Sequence, residues 1–160
     1  MTTRLDHVLT YDAPVADVAA MLADPAFRKE VCTRTYTTRH DVTIEGSGAG
    51  MRVTIDQAQS ASGIPSFAKK LVGDEINYVQ VEEWSSIDHA RVTVSIPGKP
   101  GDMDGTIDLA ESGGTTAETV VMDIRVGIPF VGGKIEALVA DMLRAAFKIE
   151  NQVGRDYLSR

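Results

Sequence analysis

Apolar residues near the C-terminal end recur at helical spacing: Ile135, Leu138, Val139, Met142, Leu143, Ala146, Ile149 and Val153 fall on one side of a 3.6-residue period. The spacing predicts a one-sided amphipathic helix from Lys134 to Val153, about 20 residues and so about 30 Å long at 1.5 Å per residue. Upstream, the period is two. Leu5, His7, Leu9 and Tyr11 alternate with Asp6, Val8 and Thr10 as in a half-buried strand, although apolar Val8 leaves the direction of His7 open. Asp12-Ala13-Pro14 then supplies a cap and a helix-starting proline for a stripe of Val15, Val18, Ala19 and Leu22. Asp24-Pro25 repeats the signal and opens a second short helix, through Phe27 to about Val31.

Alternation resumes at Tyr36, with Tyr36, Thr38, His40, Val42 and Ile44 on one face. Gly46-Ser47-Gly48-Ala49-Gly50 turns the chain, and Met51, Val53 and Ile55 carry the apolar face to Gln57. Ser60 to Asp74 interrupts the strands with a helical excursion, Ser66 to Val72, after Pro65 and before Gly73, which reads as a flap. Ile76 to Ser85, His89 to Ile96, Met103 to Glu111 and Thr116 to Ile128 are the remaining strands. Turns this short favour antiparallel hairpins over crossovers. The expected fold is α+β: a strongly curved antiparallel sheet of about seven strands wrapped around a long C-terminal helix, with two short helices after the first strand. A sheet closed by one helix leaves room for an apolar cavity, so a container is a more natural reading than a catalyst.

Composition narrows the classes. The chain has 160 residues, enough for one self-sufficient domain over 1–160 that buries roughly 70% of its unfolded surface. A single cysteine, Cys32, forms no internal disulfide, and no Cys/His spacing implies a metal site, so neither metal nor cofactor is expected and a cytoplasmic setting is the default. Met1 to Tyr11 contains no apolar signal region, and no segment reaches the 18 to 20 apolar residues (roughly) of a membrane span. A net charge of −7 and a pI near 4.9 oppose nucleic-acid binding. Lys69 and Lys70 are too small a cluster to change that.

The element order, with Asp12-Ala13-Pro14, Asp24-Pro25 and the stretch Ile128-Pro129-Phe130-Val131-Gly132-Gly133-Lys134-Ile135-Glu136 before the last helix, resembles the START-like (SRPBCC) helix-grip superfamily. That group includes polyketide cyclases and dehydrases, pollen-allergen-type proteins and lipid-transfer domains. Ile64-Pro65-Ser66-Phe67-Ala68-Lys69-Lys70-Leu71-Val72-Gly73-Asp74 and Glu82-Glu83-Trp84 are similar to an actinobacterial branch of unknown function. The resemblance implies a helix-grip fold with a cavity, and its motifs are architectural, so it implies little about substrate.

The expected function is binding, with possible transport or sequestration, of a small hydrophobic or amphipathic molecule under the C-terminal helix. Expected lining residues are Tyr36, His40, Val53, Ile55, Gln57, Val94, Leu109, Met122, Ile124, Leu138, Met142 and Ala146, with Met122 and Met142 favoured because thioether chains reshape around varied ligands. Ile64, Phe67 and Leu71 form the expected entrance flap; beside Lys69 and Lys70 they leave transient membrane contact open. Gln57, Gln80 and Glu82 interrupt apolar neighbours and would hold a ligand's polar end if they face inward, a direction that Val79 and Val81 on the alternate face leave undecided. A buried Glu82 needs a partner to stay charged. Two rivals remain: a cyclase or dehydratase using His40, Tyr36 or Glu82 as proton donor or acceptor, and a cavity-free interaction module. No catalytic residue is assigned, since nucleophile elbows and paired-carboxylate motifs are absent from the sequence.

Overall fold

The computed structural model describes residues 2–160. The chain runs β1 (Thr3–Tyr11), α1 (Val15–Leu22), α2 (Pro25–Arg34), β2 (Arg39–Glu45), β3 (Arg52–Ser60), α3 (Ser66–Val72), β4 (Glu75–Ser86), β5 (His89–Ser95), β6 (Asp102–Ser112), β7 (Thr115–Arg125) and α4 (Gly132–Leu158). All seven strands form one antiparallel sheet in the order β1-β7-β6-β5-β4-β3-β2. Sequential hairpins build β2 to β7, and β1 returns to pair with β7. The expected α+β architecture is therefore the observed one.

Strict alternation makes the sheet two-faced. Thr116, Glu118, Val120, Met122 and Ile124 of β7 are buried while the residues between them are half-exposed, and Leu5, Leu9 and Tyr11 of β1 share that inner face. His7 also points inward, its ring centroid 5.3 Å from that of Phe147 on α4, while Val8 is exposed. Burial, then the charges of Lys148 and Arg144, hold the His7 imidazole below its ordinary pKa.

The second helix extends past the expected Val31 to Arg34, because Asp24 caps its first turn and Thr35 closes the last by donating from Oγ1 to Val31 O at 2.9 Å. Tyr36 then occupies the left-handed position after the helix at φ 61° and projects into solvent, 85% exposed. The strand expected from Tyr36 begins instead at Arg39, and Tyr36 lines nothing. β7 likewise ends at Arg125, short of Ile128, because the Val126 N–H leaves the ladder to donate to Glu136 Oε2 at 3.0 Å.

The terminal helix is longer than its apolar stripe and is rotated about its axis. Its buried residues include Glu136, Ala140, Val153 and Gly154, and it lies chiefly along β1 with α2 and α1 beside it. Two contacts set that rotation. Glu136 is fully buried, accepting from Thr3 Oγ1 at 2.8 Å and from Val126 N, and Gly154 lets the helix close on the Tyr11 ring. Ile135, Leu138, Ala146 and Ile149 are consequently left half-buried on one flank, with Met142 exposed.

A β-carbon at Gly154 would lie 2.5 Å from Tyr11 Cε1, and Tyr11 is 1% exposed, so its ring has little room to retreat. Gly→Ala inside a helix ordinarily stabilises by about 1 kcal/mol. Here G154A is expected to destabilise instead, by about 1–2 kcal/mol in urea denaturation, because overpacking outweighs the helix propensity gain.

Candidate functional site

Two features interrupt the apolar interior. The first is an apolar cleft of about 50 Å³ at the end of the sheet where β6 begins and β7 ends. Ala68, Leu71 and Val72 of α3 cover one side, Met103 and Ile124 form the floor, and Ile135 and Val139 of α4 close the other side. The β5–β6 loop completes the rim with Lys99 and Pro100. Arg125 at the rim is neutralised by Asp102, 2.7 Å away, and by Asp104. Of the seven residues of α3 only Ala68 is buried, and the helix is bounded by Gly63 and Gly73, both at positive φ. The covering element is thus the most weakly packed helix of the fold.

The second feature is an ion network in the interior. Arg28, carried inward by α2, grips Glu82 of β4 with two parallel hydrogen bonds, Nη1 to Oε2 at 2.9 Å and Nη2 to Oε1 at 2.7 Å, and its Nε donates to Leu22 O at 2.8 Å. Gln80 Nε2 and Trp84 Nε1 also donate to Glu82, at 2.6 and 3.0 Å. Glu82 and Gln80 therefore face inward, and the carboxylate of Glu82 has a full set of partners. Burial works against the charge on Arg28, but the carboxyls of Glu82, Glu150 and Glu118 outweigh it and raise the guanidinium pKa.

Glu118 on β7 and Glu150 on α4 enter the same field without such partners. Glu118 is 3% exposed and its Oε1 has no hydrogen-bond partner, as is true of the buried Tyr11 hydroxyl nearby. Burial and the Glu150 charge push the Glu118 carboxyl well above the ordinary range, with Arg28 opposing. Glu150 is pushed up to about 7 by burial, with Arg28 opposing and Glu82 reinforcing. Burial also lifts the Cys32 thiol, to about 11, and raises the Tyr11 phenol. Three carboxyls thus share one buried cation. Hydropathy reading missed Arg28, Glu118 and Glu150 because charged residues are scored as surface; Glu118 was detectable by parity, lying in phase with Val120 and Met122.

The expected lining residues separate. Ile124 lines the cleft, as does Leu71 of the expected flap. Val53, Ile55, Val94, Leu109 and Met122 are buried in the core that includes the cleft floor without lining the cleft itself, Val94 pairing across strands with the floor residue Met103, and Gln57 is buried on the inner face of β3. His40 is half-buried on β2, with Nδ1 3.1 Å from Thr37 Oγ1. Leu138 and Ala146 lie half-buried on the helix flank; Met142 there and Phe67 on α3 are exposed, contrary to the lining role expected of Met142, because Glu136 and Gly154 set the rotation of α4. Ile64 is half-buried. The proposed proton-transfer set is not assembled: Tyr36 is in solvent, His40 bonds Thr37, and Glu82 is held by Arg28.

The family model described as "Protein of unknown function (DUF2505)" matches residues 6–158. The chain belongs to that family. Among relatives of this DUF2505 protein is Uncharacterized protein Rv0481c of Mycobacterium tuberculosis, 29% identical over 114 residues, a match covering 67% of this chain and 65% of the relative. The matched stretch is thus just under two thirds of the curated relative's length. Solved structures give the fold. The di-domain ARO/CYC BexL from the BE-7585A biosynthetic pathway superimposes with a TM-score of 0.70 at 14% identity, covering 97% of this chain and 49% of that one. Norcoclaurine synthase from Thalictrum flavum gives a TM-score of 0.65 at 14% identity, covering 100% of this chain and 88% of that one. The DUF2505 chain therefore has the START-like helix-grip fold, as its sequence resemblance implies. No helix among its described residues is long and apolar enough to cross a membrane.

Proposed function

We propose that the protein binds a small hydrophobic or amphipathic molecule in the cleft between α3, α4 and the ends of β6 and β7, with α3 as its flap. The observation that carries this reading is an apolar cleft covered by a helix with a single buried residue. Pockets for drug-sized ligands occupy about 300–1,000 Å³, so the closed cleft of about 50 Å³ admits a few waters and α3 must lift to admit a ligand. Lifting exposes little that was buried, and glycines at both ends of the flap accommodate the backbone change. An entering ligand meets Ile135 and Val139 and then the half-covered Leu138 on the flank of α4. Its binding gains about 25 cal/mol per Å² of buried apolar area before ordering costs. A cyclase or dehydratase is the weaker reading, since the cleft lining is aliphatic and its acid, Asp102, is paired with Arg125.

Mass spectrometry of the protein purified under native conditions, with melting curves against fatty alcohols, fatty acids and aromatic polyketides, tests the proposal. At least one class is expected to raise the melting temperature. Val139→Trp, which fills the cleft, is expected to weaken that ligand tenfold or more while the fold persists. Flat melting curves across the panel, with no co-purifying species, overturn the binding reading and favour an interaction module.

A further inference from the structure

The rim of the cleft differs in charge from the rest of the molecule. The chain carries a net charge of −7, yet four of its six lysines, Lys69, Lys70, Lys99 and Lys134, lie on the three segments that meet there. Lys99 lines the opening itself; Lys69 and Lys70 lie between the lining residues Ala68 and Leu71, and Lys134 immediately precedes the lining residue Ile135. All four are exposed. Every ion pair among the described residues takes its cation from Arg or His, so these ammonium groups are unpaired. The acids nearby offset them only in part: Asp102 and Asp104 share the single charge of Arg125, and Asp74 and Glu75 follow α3 without an ion-pair partner among the described residues, so the four lysines leave this end a small positive excess on an otherwise acidic chain.

Two exposed aromatic rings lie on segments that line the cleft, next to Ala68 and between Ile128 and Ile135 in sequence. Phe67 on α3 is 39% exposed, and Phe130, in the loop between β7 and α4, is 101% exposed. Phe130 also sits at φ 70°, a left-handed conformation that is strained for a bulky residue. Neither solubility nor packing gives a reason to hold a phenylalanine there.

We infer that this end of the molecule docks on an anionic lipid bilayer, with Phe67 and Phe130 entering the headgroup boundary and the four lysines against the lipid phosphates. Aromatic tips interspersed with flexible, unpaired ammonium groups match an interface that is negative at its surface and apolar a few ångströms below. Nucleic-acid recognition favours a larger basic face with bidentate arginines, which the rim lacks. Docked in this way, the cleft opens toward the bilayer, and an apolar molecule passes between lipid and protein without crossing water. The docking surface is independent of whether the cleft holds a ligand.

Co-sedimentation of the full chain with phosphatidylcholine vesicles, with and without phosphatidylglycerol, is the test. Binding is expected only when phosphatidylglycerol is present and is expected to weaken as salt is raised. Neutralising one lysine should reduce affinity about fivefold, so K69Q/K70Q should lose about 25-fold. Phe130→Asn, which tolerates the left-handed backbone, should lose about tenfold with salt sensitivity retained. K29Q/K148Q, away from the rim, should bind as wild type. Val139→Trp should also retain vesicle binding, which separates failure of this inference from failure of the ligand reading. Equal binding to both vesicle types, no loss in K69Q/K70Q, or equal affinity for duplex DNA would overturn the assignment.

Discussion

Arg28→Met is expected to destabilise the protein by about 3–5 kcal/mol, the usual cost of removing one member of a buried ion pair. In a chain of this size that corresponds to a fall in Tm of about 10 °C or more. The substitution leaves Glu82, Glu118 and Glu150 facing one another with no interior cation, and it removes the donors that tie α2 to β4 and to the end of α1. Glu82→Gln should cost less, because Arg28 still faces the carboxyls of Glu150 and Glu118 and the glutamine oxygen still accepts from it. The double variant Arg28→Met/Glu82→Leu should recover part of the loss, since replacing a whole buried pair by apolar groups is far milder than orphaning one partner. Urea denaturation of the two single variants and the double gives the coupling. Additive effects, or an Arg28→Met variant within about 1 kcal/mol of wild type, would mean that the pair does not hold the interior together.

A second large effect is expected from pH. Glu118 and Glu150 both have folded-state pKa values above their ordinary range, so between about 4.5 and about 7 the folded chain holds more protons than the unfolded chain. The contribution of these groups to stability is fully present below the unfolded pKa and is lost as pH rises through the folded value. Raising Glu150 from 4.5 to about 7 sets an upper bound of about 3 kcal/mol between those limits, reduced by solvent screening because the residue is half-buried. The other groups facing this site are Arg28 and Cys32 from α2, Glu82 from β4 and Tyr11 from β1. Burial lifts the Cys32 thiol and the Tyr11 phenol above their ordinary values, and the carboxyls around Arg28 raise its guanidinium pKa, so these three stay out of this window. Glu150→Gln keeps the shape and removes the titration. Chemical denaturation at half-unit steps from pH 5 to pH 8 should therefore give a wild-type stability that falls across the range and a variant curve that is flatter and higher at pH 8. Parallel curves would show that Glu150 carries no proton in the folded protein at neutral pH.

These expectations rest on residues that the hydropathy pattern passes over. Alternation along β7 and the spacing of the terminal helix identify each element and its inner face from local chemistry, since a strand or helix must bury its apolar side whatever its partner. The ends of elements are less legible. Tyr36 continues an alternating pattern on paper, yet capping by Thr35 lets α2 run to Arg34 and carries Tyr36 out into solvent. The apolar spacing carries the terminal helix to Val153, yet it continues to Leu158 through Gly154, where Tyr11 from the other end of the chain fills the space that a β-carbon would take. The expected ligand face on α4 was displaced for the same reason. Glu136 is buried by its bonds to Thr3 and Val126, which turns Met142 outward and sets Ile135 and Val139 against α3.

What the sequence by itself determined is the order and type of the elements, the seven antiparallel strands, the terminal helix and the flap-like excursion after β3. Those follow from hydrophobic period and turn chemistry, which act over a few residues. Only the tertiary structure decided the rotation of α4, the gathering of Arg28, Glu82, Glu118 and Glu150 into one interior field, and the collection of four lysines and two phenylalanines around one opening. Each of these joins residues far apart in the chain, and the energies that fix them, desolvation of charge and close packing against a particular neighbour, exist only once the distant partner has arrived.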